Sequence, residues 1–335
     1  MKIRLLIATD DDSYAEHLSN HISVHHPDLI EVSVCKAPGR LQEMLAETVY
    51  DVALFEGASI RDADMGAVRL PLMLYSEDEG GAAASGSFST IRKYQRISTL
   101  VADVLQLYAH VSAGDRADGP DKASITAVWS PAGGVGKTTV ALAYAAKKKA
   151  EGKQTLYLNL EPFSSVPAYF PQTGKSISAV FEMLENREGD VRTLIRGILK
   201  HDSAAGVAYL CRPENFDDVN ILSVEDVSFL IDACAGVTQE LVIDMSCVCD
   251  ARARKVFEVS DRVLLVTDYG QATQTKLTQF CTQHNVFSRI KAKTTLIVNK
   301  GATTFEQLAG SVVRLPYVSS SDVVTVYKTL SNTDF

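Results

Sequence analysis

The chain has 335 residues, of which 46% are hydrophobic and 22% are charged, and these proportions exclude a collagen-like, coiled-coil or disordered chain. Its 33 basic and 41 acidic residues give a net charge of −8, which argues against a dedicated nucleic-acid coat or a polybasic membrane binder. The acidity is uneven, because residues 1–111 contain 9 Lys and Arg against 16 Asp and Glu, whereas residues 125–335 contain 22 of each. No stretch approaches 18 consecutive apolar residues, so we expect no membrane span.

The first part of the chain, residues 1–111, alternates predicted strands and helices. Short apolar runs predict buried strands, and apolar residues at helical spacing predict amphipathic helices. In chain order the pattern predicts strand Ile3–Ala8, helix Tyr14–His25, strand Ile30–Cys35, helix Arg40–Glu47, strands Asp51–Phe55, Leu72–Tyr75 and Phe88–Arg92, and helix Ile97–Tyr108. Strands interleaved with helices predict a parallel sheet that is covered on both faces.

Residues 112–124 read SAGDRADGPDKAS, a small, charged, Gly- and Pro-containing stretch that predicts an interdomain linker. The alternation restarts behind it and continues through residues 125–335. The strands predicted there are Ile125–Trp129, Thr155–Asn159, Val207–Cys211, Leu241–Ile243, Val263–Thr267 and Thr295–Val298, and the helices are Thr138–Glu151, Ser176–Asn186, Val191–Leu199, Val224–Cys234, Ala251–Glu258 and Thr273–His284. The sequence therefore predicts two α/β domains, the second with a mostly parallel sheet.

A glycine-rich segment, PAGGVGKTT at Pro131–Thr139, lies between predicted strand Ile125–Trp129 and the helix that follows. Glycines let successive backbone N–H groups point at phosphate oxygens, and the positive end of the helix adds to that attraction. The strict G-x-x-x-x-G-K-[ST] pattern fails at its first position, where Pro131 stands, but the compact GGVGKTT core is complete. The predicted phosphate-binding residues are Gly133, Gly134, Val135, Gly136, Lys137, Thr138 and Thr139, with Lys137 on the phosphates and Thr138 on Mg²⁺.

That core resembles the deviant Walker A loop of the MinD/ParA ATPases, and later segments fit that superfamily in order. They are Leu156–Glu161 (LYLNLE), Glu240–Asp244 (ELVID), Asp261–Thr267 (DRVLLVT), Leu296–Lys300 (LIVNK) and Leu315–Tyr317 (LPY). The resemblance implies ATP and Mg²⁺ as cofactors, with Asp244 supporting the metal. It also implies that Asn299 recognises adenine and that Pro316 lies near the base.

Three positions depart from the superfamily pattern. Ala132 stands where relatives carry a signature lysine that reaches the partner's phosphates, and Asn159 and Glu161 replace an Asp-x-Asp pair. Lys137 and Glu161 are the expected catalytic residues, although the longer Glu161 side chain changes the geometry for an attacking water. We therefore expect a weak ATPase that acts mainly as a nucleotide switch with slow turnover.

The first part of the chain resembles a response-regulator receiver domain of the flavodoxin-like type. Asp10 and Asp11 follow the first strand, and Ser76 and Lys93 follow the fourth and fifth. The third strand ends in Glu56, where receivers carry the phosphate-accepting Asp. The resemblance implies a degenerate receiver that cannot be phosphorylated and that provides a dimerisation or docking surface.

An atypical receiver joined to a P-loop ATPase without the signature lysine resembles the TadZ/CpaE group, the positioning ATPases of bacterial Flp/Tad pilus assembly. This resemblance implies a nucleotide-linked homodimer that localises the type II/IV secretion-like pilus assembly proteins. The expected location is cytoplasmic, with recruitment by partners to the pole or the inner face of the membrane. We expect no direct membrane insertion and no specific nucleic-acid partner.

The alternative is a MinD/ParA-type regulator of cell division or of chromosome or plasmid partitioning. MinD-like proteins usually end in a basic amphipathic helix, and the final residues, SSSDVVTVYKTLSNTDF, show no such face. ParA-like proteins are expected to carry a DNA-binding N-terminal module or basic patch, and here the N-terminal part is the acidic one.

Overall fold

The computed structural model describes residues 2–27, 29–36, 38–56, 65–66, 68–76, 88–111, 123–171, 174–186, 189–300 and 311–335. The chain divides into two compact units. Unit 1 comprises Met1–Ala117 with Glu188–Gly197, and unit 2 comprises Asp118–Arg187 with Ile198–Phe335. All but the last two residues of the proposed linker 112–124 lie outside the described residues.

Unit 1 contains a five-stranded sheet in the order β2-β1-β3-β4-β5, with every described pair parallel. This is the 2-1-3-4-5 order of flavodoxin-like sheets. The elements are β1 (Ile3–Ala8), α1 (Asp12–His25), β2 (Ile30–Cys35), α2 (Pro38–Glu47), β3 (Val52–Glu56), β4 (Leu70–Tyr75), β5 (Ser89–Arg92) and α3 (Ile97–Val111).

Both faces of this sheet are buried, because alternate residues of β1 belong to two different core clusters. Leu5 and Ile7 pack in a cluster with residues of α1 and α3, whereas Leu6 and Ala8 pack in a cluster with residues of α2. A parallel sheet covered on both sides is therefore confirmed for unit 1.

Unit 1 also contains a helix from much later in the chain, α7 (Val191–Ile198), except for its last residue. The Asp190 N–H donates to the Ala109 carbonyl at the end of α3 over 2.5 Å. Gly197 lies so close to Leu105 of α3 that a Cβ at this position would clash with the leucine side chain. The segment placed by sequence in the second domain is thus packed within the first unit.

Unit 2 contains an eight-stranded sheet in the order β13-β12-β11-β6-β10-β7-β9-β8, in which β8 and β9 form the antiparallel pair of the described strands. The strands are β6 (Ser124–Trp129), β7 (Thr155–Asn159), β8 (Lys200–His201), β9 (Ala208–Tyr209), β10 (Glu240–Asp244), β11 (Arg262–Thr267), β12 (Thr294–Val298) and β13 (Ser311–Arg314). The predicted α/β class with a mostly parallel sheet is confirmed.

The helices of unit 2 are α4 (Lys137–Ala150), α5 (Val166–Tyr169), α6 (Ser178–Asn186), α8 (Asp217–Asn220), α9 (Val224–Ala235), α10 (Ala251–Val259), α11 (Gln271–Cys281), α12 (His284–Ile290) and α13 (Val323–Leu330), with a 3₁₀ turn at Lys291–Lys293. The predicted helix Thr273–His284 stops at Cys281, and a separate helix starts at His284. No helix among the described residues has the length and apolar character needed to cross a membrane.

The strand order places the carboxyl ends of β6, β7 and β10 side by side at the centre of unit 2. The chain leaves β6 through α4 and reaches β7 on the far side of β10, whereas β11 pairs with β6 on its other edge. In open α/β sheets ligands bind beyond the carboxyl ends of the strands at such a reversal of order.

Candidate functional site

The glycine-rich loop connects β6 to α4, and two of its glycines have backbone angles that L side chains rarely adopt. Gly134 has φ of 74°, and Gly136, the N-cap of α4, has φ of 90°. A Cβ on Gly136 would lie 2.5 Å from the Asn299 amide nitrogen, so any larger residue would displace the Asn299 side chain as well as adopt an unfavourable φ.

Lys137 and Glu161, the two residues expected to be catalytic, are brought together. Lys137 is the first residue of α4 and is buried, and Glu161 follows the end of β7. The Lys137 ammonium lies 3.6 Å from the nearer Glu161 carboxylate oxygen. This ion pair neutralises the buried lysine and places the Glu161 carboxylate beside the first turn of α4, where the glycine-rich loop ends.

Asp244 is the last residue of β10 and is fully buried beside the loop. Its Oδ2 accepts hydrogen bonds from the Tyr157 hydroxyl at 2.8 Å and from the Asn159 amide at 3.0 Å. Both donors come from β7, whose register places Asn159 directly beside Asp244. The other oxygen, Oδ1, makes no hydrogen bond of normal geometry, which is unusual for a buried polar atom, although the Thr138 hydroxyl is close enough to lower the pKa of this carboxyl group.

The buried position changes the acidity of this carboxyl group. Burial, and then the nearby Glu161 charge, raise the pKa of Asp244 to about 7, and Thr138, Tyr157 and Lys137 act in the opposite direction. Burial and the neighbouring Asp244 charge raise the pKa of Tyr157 well above its ordinary value, so its hydroxyl stays a hydrogen-bond donor.

The residues present fit a magnesium ion. Mg²⁺ prefers oxygen ligands and keeps several of its waters, so one carboxylate oxygen and one hydroxyl suffice on the protein side. Asp244 Oδ1 is the unpartnered oxygen, and the Thr138 hydroxyl belongs to the first turn of α4. Within the described residues, no three His, Cys, Asp or Glu side chains form a metal cluster.

Asn299 and Lys300 follow β12 and bond to the outside of the loop. The Asn299 amide nitrogen donates to the Val135 carbonyl at 2.9 Å, and the Lys300 ammonium donates to the Gly134 carbonyl at 2.8 Å and to Asp268 at 3.2 Å. Burial opposes ionisation of Asp268, yet the Gly270 N–H and the Thr273 and Lys300 side chains together hold its pKa below the ordinary value.

The remaining predicted residues do not contact Lys137, Glu161 or Asp244 in any described bond. The Thr139 hydroxyl lies 3.1 Å from the Tyr169 hydroxyl, so this threonine contacts α5. Ala132, at the position of the missing lysine, is buried. Pro316 is exposed beyond β13, and no described contact joins it to the loop. Its predicted position near a base stays a prediction.

Unit 1 has its own polar cluster at the carboxyl ends of its strands. The buried Lys93 ammonium lies 2.5 Å from Glu56 and 3.2 Å from Asp11, and the Thr9 hydroxyl donates to Glu56 at 2.8 Å. Burial opposes the charge on Lys93, but its hydrogen bonds with Glu56, Tyr94 and Asp11, in which the ammonium donates to both carboxylates, raise its pKa above the ordinary value. Of the residues that sequence singled out, Asp11, Glu56 and Lys93 meet here, whereas Asp10 is exposed.

Part of the chain has counterparts among solved structures. A ParA family ATPase from Chlorobium tepidum TLS aligns with a TM-score of 0.53 and 19% identity, over 63% of this chain and 96% of that chain. The chain contains this fold. The septum site-determining protein MinD of Pyrococcus horikoshii OT3, solved with Mg-ADP, aligns with a TM-score of 0.48 and 13% identity, over 62% of this chain and 94% of that chain. No protein-family model and no curated protein matches the chain.

The alignment to the ParA family ATPase confirms the MinD/ParA-like fold expected from the motifs. More than a third of this chain lies outside that alignment. The receiver-like fold expected for the first part therefore stays a prediction, supported by the order of its sheet.

Sequence reasoning gave no role to three residues that complete the sites. Tyr157 is an apolar-looking position inside a strand, and only the structure shows its hydroxyl on Asp244. Asp268 follows β11 and Lys300 follows β12, and a polar residue just past a buried parallel strand is the signal that would have identified both.

Proposed function

We propose that unit 2 binds ATP with Mg²⁺ and acts as a nucleotide switch. The observation that carries this proposal is the unpartnered Oδ1 of the fully buried Asp244, beside a glycine-rich loop that ends in Lys137 and Thr138. A buried carboxylate oxygen without a partner is costly, and a bound cation removes that cost. The loop N–H groups and Lys137 would hold the phosphates, and Thr138 and Asp244 would hold the metal, which neutralises phosphate charge when bound.

Calorimetric titration with ATP and Mg²⁺ tests this proposal. Saturable binding by the wild-type chain and its loss in Lys137→Ala are expected. Lys328→Ala serves as the control, because it removes an exposed ammonium from α13, an element that carries none of the predicted site residues. An absence of binding by the wild type, or equal affinity in Lys137→Ala, would contradict the assignment.

We infer that hydrolysis is slow. The place of the signature lysine is taken by the buried, uncharged Ala132, so no cation from this position can stabilise the transferring phosphate. Glu161, the remaining carboxylate after β7, is paired with Lys137 rather than free. We expect turnover below about 1 s⁻¹, the lower end of ordinary enzyme rates. A phosphate-release assay that gives a faster rate would overturn this inference.

For the cell, we propose that the chain localises Flp/Tad pilus assembly proteins as a nucleotide-linked homodimer, recruited by its partners to the pole or inner face of the membrane. Support comes from the resemblance to TadZ/CpaE proteins and from the ParA-type fold. A deletion strain should lose pilus assembly, and the wild-type gene but not Lys137→Ala should restore it. Intact pili with misplaced septa or lost plasmids would favour the alternative, a division or partition regulator.

For unit 1 we propose a degenerate receiver that accepts no phosphate and serves as a docking or dimerisation surface. The flavodoxin-like strand order supports the comparison, and Glu56, in place of the acceptor Asp, is already bonded to Lys93 and Thr9. Incubation of the full chain with acetyl phosphate should leave its mass unchanged. Covalent labelling within residues 1–111 would overturn the proposal.

A further inference from the structure

Two successive carbonyls of the glycine-rich loop are each held from outside by a side chain. The Gly134 carbonyl accepts from the Lys300 ammonium at 2.8 Å, and the Val135 carbonyl accepts from the Asn299 amide at 2.9 Å. Both donors follow β12, which β11 separates from β6 in the sheet. The loop is therefore fixed by a part of the chain far from it in sequence.

Lys300 adopts a left-handed backbone conformation, which is unfavourable for residues that have a Cβ. Its φ is 57°, and it is the one non-glycine residue with positive φ among the residues that the structure describes. Such a conformation persists when surrounding contacts hold it, and it is concentrated at functional sites. Here the Lys300 backbone N–H donates to the Asn299 Oδ1 at 2.9 Å. At the end of the side chain, the ammonium donates to the Gly134 carbonyl and to Asp268.

The anchor for the ammonium is Asp268, which follows β11. Asp268 Oδ2 lies 3.2 Å from the Lys300 ammonium, and Oδ1 accepts from the Gly270 N–H at 3.0 Å. Only 13% of the Asp268 side chain is exposed, against 38% for Lys300. The less exposed aspartate, held by the Gly270 N–H, thus directs the longer and more exposed lysine toward the loop.

Fixing these carbonyls also fixes the adjacent N–H groups. A trans peptide unit is planar, and its N–H points opposite to its carbonyl. Since the Gly134 and Val135 carbonyls point toward Lys300 and Asn299, the N–H groups of Val135 and Gly136 point away from those side chains. Donors oriented before binding lower the cost of ordering the loop around an anion.

We propose that Lys300, aimed by Asp268, is a positioning residue that pre-orients the phosphate-binding N–H groups of the loop. The inference rests on the proposed ATP·Mg²⁺ site. Lys300 acts through the loop backbone, and its strained conformation is what places its ammonium on the Gly134 carbonyl.

The informative variant is Lys300→Gly, because glycine adopts the observed φ without strain and has no ammonium. We expect the ATP·Mg²⁺ dissociation constant to rise about tenfold, the effect of losing a hydrogen bond from a charged donor. The melting temperature, followed by the fluorescence of Trp129, the chain's single tryptophan, which lies in unit 2, should change little, because relief of the strained φ offsets the loss of the ion pair with Asp268. Lys300→Arg should retain most of the affinity, and Lys328→Ala should change neither quantity.

A double-mutant cycle tests the role of Asp268. If Asp268 acts through Lys300, Asp268→Asn should weaken ATP binding in the wild-type background and have no further effect in Lys300→Gly. A Lys300→Gly variant that binds ATP·Mg²⁺ with wild-type affinity, or that loses affinity only together with stability, would overturn the positioning role alone. If the wild-type chain binds no ATP·Mg²⁺, the proposed function falls as well.

Discussion

Replacing Asp244 with Asn should stabilise the nucleotide-free protein while removing its ability to bind Mg²⁺. In the native structure the pKa of Asp244 is raised to about 7, from the ordinary 3.8, mainly because the group is buried. A native pKa above the unfolded one means that the native state binds more protons, so stability falls as pH rises from about 4 to about 7. Above that window the ionised carboxylate costs ~4 kcal/mol relative to an unperturbed aspartate.

The Asp244→Asn substitution removes this electrostatic cost but introduces a smaller desolvation cost. Its oxygen can still accept from Tyr157 and Asn159, whereas its NH₂ group takes the place of the unpartnered Oδ1 and loses about 1–3 kcal/mol to desolvation. The net gain at pH 8 is therefore ~1–3 kcal/mol. At roughly 2–4 °C per kcal/mol for a domain of this size, the melting temperature should rise by about 2–12 °C.

Thermal unfolding followed by Trp129 fluorescence measures this effect, because this single tryptophan is buried in β6 of unit 2. The advantage of Asp244→Asn should be present at pH 8 and should disappear at pH 5, where the native Asp244 is protonated. Asp268→Asn is a matched control with the opposite sign, because its partners hold the pKa of Asp268 below the ordinary value. A variant Asp244→Asn that melts below the wild type at pH 8 without nucleotide would refute the reasoning.

Three further substitutions test other parts of the site. Tyr157→Phe removes a donor to Asp244 Oδ2 and should weaken Mg²⁺-dependent ATP binding about 10–100-fold, as the loss of a hydrogen bond to a metal ligand does. A Mg²⁺ titration at fixed ATP measures this effect, and an unchanged midpoint would contradict the proposed role of the Asp244 carboxylate. Glu161→Gln frees Lys137 from its ion pair, so calorimetry should find equal or tighter ATP binding together with slower phosphate release, and weaker binding would contradict that picture. Gly136→Ala places a Cβ against Asn299 and forces an unfavourable φ, so it should lower the stability of unit 2 by more than about 1 kcal/mol in urea titrations, and a wild-type midpoint would show that the loop can relax.

The phosphate loop and the strand-end acid could be predicted from sequence because each is local. Gly133–Thr139 lies within one strand–loop–helix unit, and Asp244 directly follows the apolar run Leu241–Ile243. Parallel strands bring their carboxyl ends to one edge, so their proximity followed from the fold class.

Other contacts depend on strand order, which periodicity does not reveal. Tyr157 reads as a core aromatic until β7 is placed beside β10, and the bond from Lys300 to the loop requires β11 to lie between β12 and β6. The helix α7 was predicted as a helix from its amphipathic pattern, but such a pattern says that a face is buried and not which surface covers it. Only the structure therefore shows that α7 belongs to unit 1, except for its last residue.

The late segment of unit 1 has a consequence for synthesis on the ribosome. Residues 1–111 emerge first, yet the unit is complete only when Glu188–Gly197 has been made, about 80 residues later. At translation rates of roughly 5–20 residues per second, the α3 surface around Leu105 therefore lacks its contact with Gly197 for about 4–16 s after residue 111 is made. The first unit is thus finished while the second is already being built, and a gene fragment that stops at residue 111 encodes a unit without its last helix.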